Sequence, residues 1–265
     1  MSKKVAIVTG GTSGIGRATA LALQERGYTV YELSRRAEGM PDIRHIVADI
    51  TKEETLQAAV EQVLAVEGRL DLVVNNAGFG ISGAIEFTDT QEAQRLFDTL
   101  FFGMVRMNRC VIPFMRQQGH GRIVNISSVA APVPIPFQAY YSAGKAAINA
   151  YTMALANELR PFGVTVCAVM PGDIKTGFTA ARHKIIDGDD IYQGRIGRSV
   201  QRMEHDEQTG MDPAKVGRYI AAVASREGSH HPLYATRIDY KFFVFLTKVL
   251  PARFLNWLIY QLYGK

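Results

Sequence analysis

Cysteine is scarce: the 265-residue chain holds only Cys110 and Cys167, each inside an apolar stretch and neither at metal-ligand spacing. That excludes a disulfide scaffold and a cysteine-built metal centre, and both residues read as buried thiols of a reducing compartment. The start, MSKKVAIVTGG, lacks the apolar core and cleavage site of a secretory leader, so a cytoplasmic location is expected. Basic residues exceed acidic ones, giving a net charge of +5, yet no element clusters Lys and Arg with aromatics. Nucleic acid is therefore not an expected partner, and the charge suits a phosphate-rich cofactor, an acidic substrate or a membrane surface. No internal repeat is present. His230 and His231 lack further ligands and read as loop histidines, His183 and His205 read as solvated, and no metal is expected.

What is present is a regular alternation. Apolar residues make up 47% of the chain, ample for one large buried core. Val5 to Val8 is a short continuous apolar run, as in a parallel strand covered on both faces. Thr9-Gly10-Gly11-Thr12-Ser13-Gly14-Ile15-Gly16 follows, then a helix from Arg17. Glycines let the backbone approach a phosphate, and the helix N-terminus offers unpaired N–H groups to the anion, so Gly10, Thr12, Ser13, Gly14, Ile15 and Gly16 are candidate cofactor residues. The second strand, Thr29 to Leu33, ends in Ser34-Arg35-Arg36, with no carboxylate where one would bind an unphosphorylated ribose. A guanidinium there binds a 2′-phosphate bidentately, which predicts NADP(H) over NAD(H), with Arg35 as the main clamp and Arg36 or Arg17 assisting.

The connection from Ala37 to Arg44 is too short for a crossover helix. His45 to Ala48 is a third strand ending at Asp49-Ile50, where Asp49 either faces the adenine or is a plain loop carboxylate. Thr51 to Glu54 reads as a capping box opening a helix that runs to Val66. Leu70 to Val74 is a fourth strand ending in Asn75-Asn76-Ala77-Gly78, and ligands of open parallel sheets bind at such ends. Asn75 and Asn76 either meet the ligand or brace strands. A long helix is expected over 92–115, closed by Pro113, then a strand from Arg122 to Ser128, a helix over 141–160, and a sixth strand from Val164 to Val169 ending in Met170-Pro171-Gly172-Asp173-Ile174-Lys175-Thr176. The pattern predicts an α/β fold: a doubly wound parallel sheet in a single Rossmann domain.

Chemistry concentrates between Ser128 and Lys145, which align a hydroxyl, a phenol and an ammonium. Tyr141 and Lys145 are four apart and share one helical face, so the cation is expected to lower the phenol's pKa from about 10. Tyr140 has Gly144 as its partner four residues on, which leaves Tyr141 as the candidate acid or base.

Together these residues resemble the short-chain dehydrogenase/reductase family over about residues 3 to 180. TGGTSGIG is similar to its TGxxxGxG loop, Asn75 to Gly78 to its NNAG, Ser128 with Tyr141 and Lys145 to its Ser…YxxxK set, and Pro171-Gly172 to its PG motif. Within the family, the chain looks most like the hydroxysteroid and retinol dehydrogenase branch. The resemblance implies that Tyr141 is the general acid for carbonyl reduction and the base for alcohol oxidation. It implies that Ser128 holds the substrate oxygen and that Lys145 lowers the pKa of Tyr141 and binds the nicotinamide ribose. It also places Asp49, Ile50, Asn76, Ala77, Gly78, Pro171, Gly172, Ile174 and Thr176 along the cofactor, and implies a homodimer or homotetramer built on the long helices near 92–115 and 141–160. One position departs from the pattern: Leu100 stands where the family carries a helix asparagine that holds a relay water.

The rest varies. Residues 176–211 show no trusted period and read as a mobile flap over substrate, and Asp212-Pro213 as a helix start. After a catalytic domain over 1–240 comes an apolar extension over 241–265, broken by Pro251, Lys248 and Arg253 into runs too short to span a bilayer. It is expected to pack on the flap or a partner subunit and wall a lipophilic pocket, with peripheral membrane attachment as the rival. The function so implied is interconversion of a secondary alcohol and a ketone with NADP(H), on a bulky lipophilic, steroid- or retinoid-like substrate. The alternatives are a 3-oxoacyl reductase-type enzyme and a catalytically impaired nucleotide-binding regulator.

Overall fold

In strand β1 (Val5–Thr9) successive side chains face opposite ways, and both faces are covered. Val5 and Ile7 join one apolar cluster, Ala6 and Val8 the other. The computed structural model describes residues 3–226 and 228–265; Met1 and Ser2, part of the start read above, lie outside the described residues. The chain runs on through α1 (Gly14–Glu25), β2 (Thr29–Ser34), β3 (Arg44–Val47), α2 (Glu53–Glu67), β4 (Leu72–Asn75) and a two-residue β5 (Ile81–Ser82). Then come α3 (Thr90–Phe97), α4 (Gly103–Gln118), β6 (Gly121–Ile126), α5 (Ala139–Leu159) and β7 (Val164–Met170). The last third holds α6 (Phe178–Ala181), β8 (His183–Lys184), α7 (Arg195–Gln208), α8 (Pro213–Ala224), β9 (Leu233–Ala235), α9 (Ile238–Val249) and α10 (Ala252–Ile259).

Seven parallel strands form one sheet in the order β3-β2-β1-β4-β6-β7-β9. The order reverses between β1 and β4, and the crevice at their carboxyl ends is where such a sheet binds its ligand. One core cluster joins the sheet to α2, α4 and α5, and the other joins it to α1 and α8. This is the expected doubly wound, single-domain Rossmann architecture.

Several expectations need correction. Helix α2 is capped by Lys52 with no side-chain cap, because the Thr51 hydroxyl is spent on Asp49 Oδ1 at 2.8 Å. The long helix over 92–115 starts earlier, behind Asp89, which accepts from the Gln91 N–H at 2.8 Å, and a π-turn at Asp98–Phe102 divides it into α3 and α4. Pro113 does not close it: α4 runs on to Gln118, since Met107, Val111 and Met115 bury one face on the sheet and outweigh the lost helical hydrogen bond. The flap over 176–211 is not featureless. It contains α6, β8 and α7, with β8 paired to β5. Asp212 does cap α8, accepting from the Ala214 N–H at 2.8 Å.

Candidate active site

The glycine loop joins β1 to α1 with Gly10 and Gly14 at positive φ, +66° and +53°. A Cβ at Gly16 would stand 2.2 Å from the Gly10 carbonyl, so only glycine lets the helix start this close to the turn. Ser13 makes no side-chain cap bond and the first turn carries no acidic residue, which leaves its N–H groups to an anion. Across the cleft, Thr176 faces Gly14, its side chain 3.6 Å from where a Cβ would sit. At the ribose end, Arg35 and Arg36 are exposed, while Glu32 of β2 is turned into the protein and paired with His45. A cradle of bare amides followed by open guanidiniums fits a phosphorylated dinucleotide.

The NNAG stretch divides its labour. Asn75 donates through Nδ2 to Asn108 and Asn125 Oδ1 at 2.7 and 2.9 Å, bracing β4 against α4 and β6. Asn76 Nδ2 donates to the Thr9 and Gly10 carbonyls at 3.1 and 3.2 Å, holding the glycine loop, and Thr9 Oγ1 accepts from the Asn76 and Ala77 N–H groups. Both amides therefore brace. Asp49 Oδ1 accepts from the Thr51 N–H and hydroxyl. Burial works to raise that carboxyl, but these bonds, with Arg35 and Lys52 nearby, hold it below the usual range. Ile50 packs against Gly103 at the start of α4, beside the same crevice.

Ser128 follows β6, and Tyr141 and Lys145 lie in the first two turns of α5. Ser127 Oγ donates to the Lys145 carbonyl at 3.1 Å and so ties the strand end to that helix. Burial pushes the Tyr141 phenol up to about 12; a hydrogen bond with Ser128 opposes the rise, Glu207 and Asp173 add to it, and Arg182 subtracts from it. Burial alone brings the Lys145 ammonium down to about 7. Lys145 Nζ donates to the Ile126 carbonyl at 2.7 Å and stands 5.5 Å from the centre of the Tyr141 ring. The expectation that Lys145 draws the phenol down is thus not met: both groups are desolvated, and each is driven toward its neutral form.

Leu100 sits in the π-turn, 2% exposed, with one methyl over Gly78, where a Cβ would meet it at 2.4 Å, and another near Gly144. It joins Leu96, Ile81, Tyr140 and Tyr141 in an apolar cluster of its own.

Residues that the sequence reading missed complete the site. The Phe178 ring lies 5.7 Å from the Tyr141 ring, and the Arg182 guanidinium 5.7 Å from Phe178. Arg182 is fully buried and paired with Glu207, whose other oxygen accepts from Thr179 Oγ1 at 2.6 Å. Its Nε and Nη1 have no hydrogen-bond partner. The Tyr240 ring lies over Gly172, 2.0 Å from where a Cβ would be, and its hydroxyl bonds the Asp173 N–H and carboxylate at 3.0 Å each. Gly172 and Asp173 are therefore held from outside by Tyr240 of α9. A detectable signal for α7 existed in the spacing of Ile196, Val200 and Met203, all buried. Arg182, Glu207 and Tyr240 carried none. His183 is not simply solvated: its Nδ1 meets Glu92 at 3.0 Å. Cys110 and Cys167 are buried free thiols, which burial raises to about 11. Among the described residues no group of three or more His, Cys, Asp or Glu is arranged to hold a metal ion.

The family model described as short chain dehydrogenase matches residues 4–185. A 3-ketodihydrosphingosine reductase of Bacteroides thetaiotaomicron is 38% identical over 261 residues, 97% of this chain and 94% of the relative. An NADPH-dependent 1-acyldihydroxyacetone phosphate reductase of Schizosaccharomyces pombe is 33% identical over 184 residues, 66% of this chain and 61% of that protein. The crystal structure of a short-chain dehydrogenase from Streptomyces avermitilis superposes with a TM-score of 0.82 at 34% identity, covering 92% of each chain.

Proposed function

The chain belongs to the short-chain dehydrogenase family, and on that premise we propose that it is an NADP(H)-dependent reductase of a ketone carried on a long-chain lipid, working through Ser128, Tyr141 and Lys145. As a member of that family it is an oxidoreductase of carbonyl and alcohol groups that uses a nicotinamide cofactor and a small-molecule substrate. The observation that carries the finer reading is the grouping of Ser128, Tyr141 and Lys145 beside the glycine loop, with Lys145 Nζ 5.5 Å and the Phe178 ring of the flap 5.7 Å from the centre of the Tyr141 ring. The open guanidiniums of Arg35 and Arg36 support NADP(H), and Arg17, exposed on α1, is available to assist.

A nicotinamide cofactor held in this crevice would supply hydride chemistry at the carbonyl carbon. Ser128 Oγ holds the substrate oxygen, and Tyr141 Oη delivers its proton there as negative charge builds, taking one back in the reverse reaction. Lys145 would hold the ribose hydroxyls, its Nζ anchored on the Ile126 carbonyl behind the phenol. A steroid- or retinoid-like substrate is the broader form of the same reading; the sphingoid and acylglycerol-type ketones in the names of the two curated relatives favour an acyl chain over fused rings. A homo-oligomer, dimer or tetramer, built on α4 and α5 belongs to the same reading. A nucleotide-binding regulator with impaired turnover is the second reading, favoured by Leu100.

The test is cofactor oxidation over a panel: 3-ketodihydrosphingosine, 1-acyldihydroxyacetone phosphate, a steroid ketone, a retinoid and a 3-oxoacyl thioester. The expected result is turnover on a long-chain lipid ketone with NADPH favoured over NADH, a preference that Arg35→Ser removes, and a loss of about 10²–10⁴-fold in kcat for Tyr141→Phe. NADH preference in the wild type, or a fully active Tyr141→Phe, refutes the reading; silence on every ketone with NADPH bound normally favours the regulator.

A further inference from the structure

Helix α9 turns its apolar stripe the wrong way for a globular protein. Ile238, Phe242, Phe245 and Val249 follow one another at helical spacing on a single face, and they are 78%, 58%, 55% and 56% exposed. In α10, Phe254 and Trp257 stack on each other at 5.8 Å and are also about half exposed. Burial is not simply missing along the extension, for both of its ends are tied down. Tyr240 is seated on Gly172 and Asp173, Tyr263 donates to Asp206 of α7 at 3.0 Å, and Arg195 Nε donates to the Gly264 carbonyl at 2.6 Å. The result is a pair of consecutive helices held at both ends to the loops and helix around the catalytic site, with aromatic side chains toward solvent. A patch of this kind marks an interaction surface.

Charge chooses the partner. Lys241, Lys248 and Arg253 each directly precede one of the exposed apolar residues, Phe242, Val249 and Phe254, and all three are exposed without an ion pair among the described residues. A face covered by a second copy of this chain would bury these cations against their own kind, and Lys is depleted from such interfaces. At a bilayer the same arrangement is favourable: apolar and aromatic side chains enter the acyl boundary, while Lys and Arg extend to anionic head groups. Among the described residues no helix is long and apolar enough to cross a membrane, so a bilayer would be met at its surface only.

We propose that α9 and α10 form a docking surface for anionic lipid bilayers, which sets the flap and the mouth of the catalytic site against the membrane. The inference stands on the exposed faces of α9 and α10 alone; joined to the lipid-ketone reading, it means that substrate enters from the bilayer without crossing water.

Trp257 is the only tryptophan of the chain, so its emission reports on this face alone. The experiment mixes full-length protein with vesicles of phosphatidylcholine, with or without phosphatidylglycerol, and follows flotation, Trp257 emission and acrylamide quenching. The expected result is co-flotation with the phosphatidylglycerol vesicles only, a blue shift with loss of quenching, and weakening by raised salt. Lys241→Glu and Lys248→Glu should each weaken binding roughly fivefold or more. Phe242→Ser with Phe254→Ser should abolish it while turnover of a soluble short-chain ketone persists. If wild-type protein neither floats nor shifts with anionic vesicles, the proposal is wrong. It is equally wrong if Trp257 becomes shielded with rising protein concentration in the absence of lipid, for then the face joins two copies. Vesicle binding without turnover of any lipid ketone overturns the substrate reading and leaves the docking surface standing.

Discussion

A buried ammonium and a buried phenol side by side give the apoprotein an unusual dependence on pH. Lys145 has a folded pKa of about 7, far below its unfolded value, so at low pH folding confines a charged amine away from water. Between about pH 7 and 10 the unfolded chain binds more protons than the folded one, and stability rises with pH on that account. Tyr141 acts in the other direction and later: its folded pKa of about 12 exceeds the unfolded value, so its contribution is lost only above about pH 10. Chemical denaturation of wild type against Lys145→Met should therefore show the wild type gaining on the variant by a few kcal/mol between pH 7 and 10. A constant difference would mean that Lys145 keeps its water. A high phenol pKa also keeps the proton donor loaded through the neutral range, which suits reduction, whereas oxidation should accelerate with pH.

Leu100 makes the second residue-scale case. The π-turn persists although leucine stands where the family has asparagine, so the irregularity does not need the amide. Leu100 instead packs on Gly78 and beside Gly144. Leu100→Asn is expected to lower stability by about 1–3 kcal/mol, through burial of a polar group and loss of apolar contact. It is also expected to raise kcat by restoring a water site next to Lys145. Thermal unfolding and steady-state kinetics on one preparation separate the two effects, and an unchanged kcat would show that proton supply does not limit turnover.

At the scale of elements, the flap earns its position through one ion pair. Arg182, between β8 and α6, meets Glu207 at the end of α7, and both bear electrostatically on the Tyr141 phenol. Glu207→Gln leaves the buried guanidinium without a counter-charge and should cost about 3–5 kcal/mol, much of it recovered in Arg182→Met/Glu207→Gln. Because the Glu207 charge raises the Tyr141 pKa, the single variant should also shift the alkaline limb of the oxidation profile to lower pH. A shift to higher pH would mean that Arg182 does not sit where it can act on the phenol. Helix α7 itself was within reach of pattern reading from Ile196, Val200 and Met203, yet polar and glycine residues between them masked the period. The strands β5 and β8, two residues each, and β9, three residues, are too short to leave any pattern.

Seen as a whole molecule, the chain has two parts of different legibility. From Val5 to Met170, continuous apolar strands and glycine turns were readable in order, because each reflects a local constraint: a strand covered on both faces, a backbone that must approach phosphate. Ser128, Tyr141, Lys145 and the glycine loop were legible for the same reason, being bound to strand ends and a helical spacing of four. Local pattern did not reveal which groups desolvate them. Tyr141 and Lys145 lie four apart and look like an activating pair, but their protonation is decided by surroundings drawn from α7, β6 and the loop after β7. The Arg182–Glu207 pair joins residues 25 apart, and the contact of Tyr240 with Asp173 spans 67, separations at which sequence carries no register. The sequence by itself determined the sheet and its glycine-lined crevice, since these follow from short-range sterics and periodicity, and it singled out Ser128, Tyr141 and Lys145 as candidate reacting groups. Only the tertiary structure decided how the site is closed, which charges act on the phenol and which side of the two C-terminal helices meets solvent, because burial and electrostatics are sums over neighbours that the linear order does not specify.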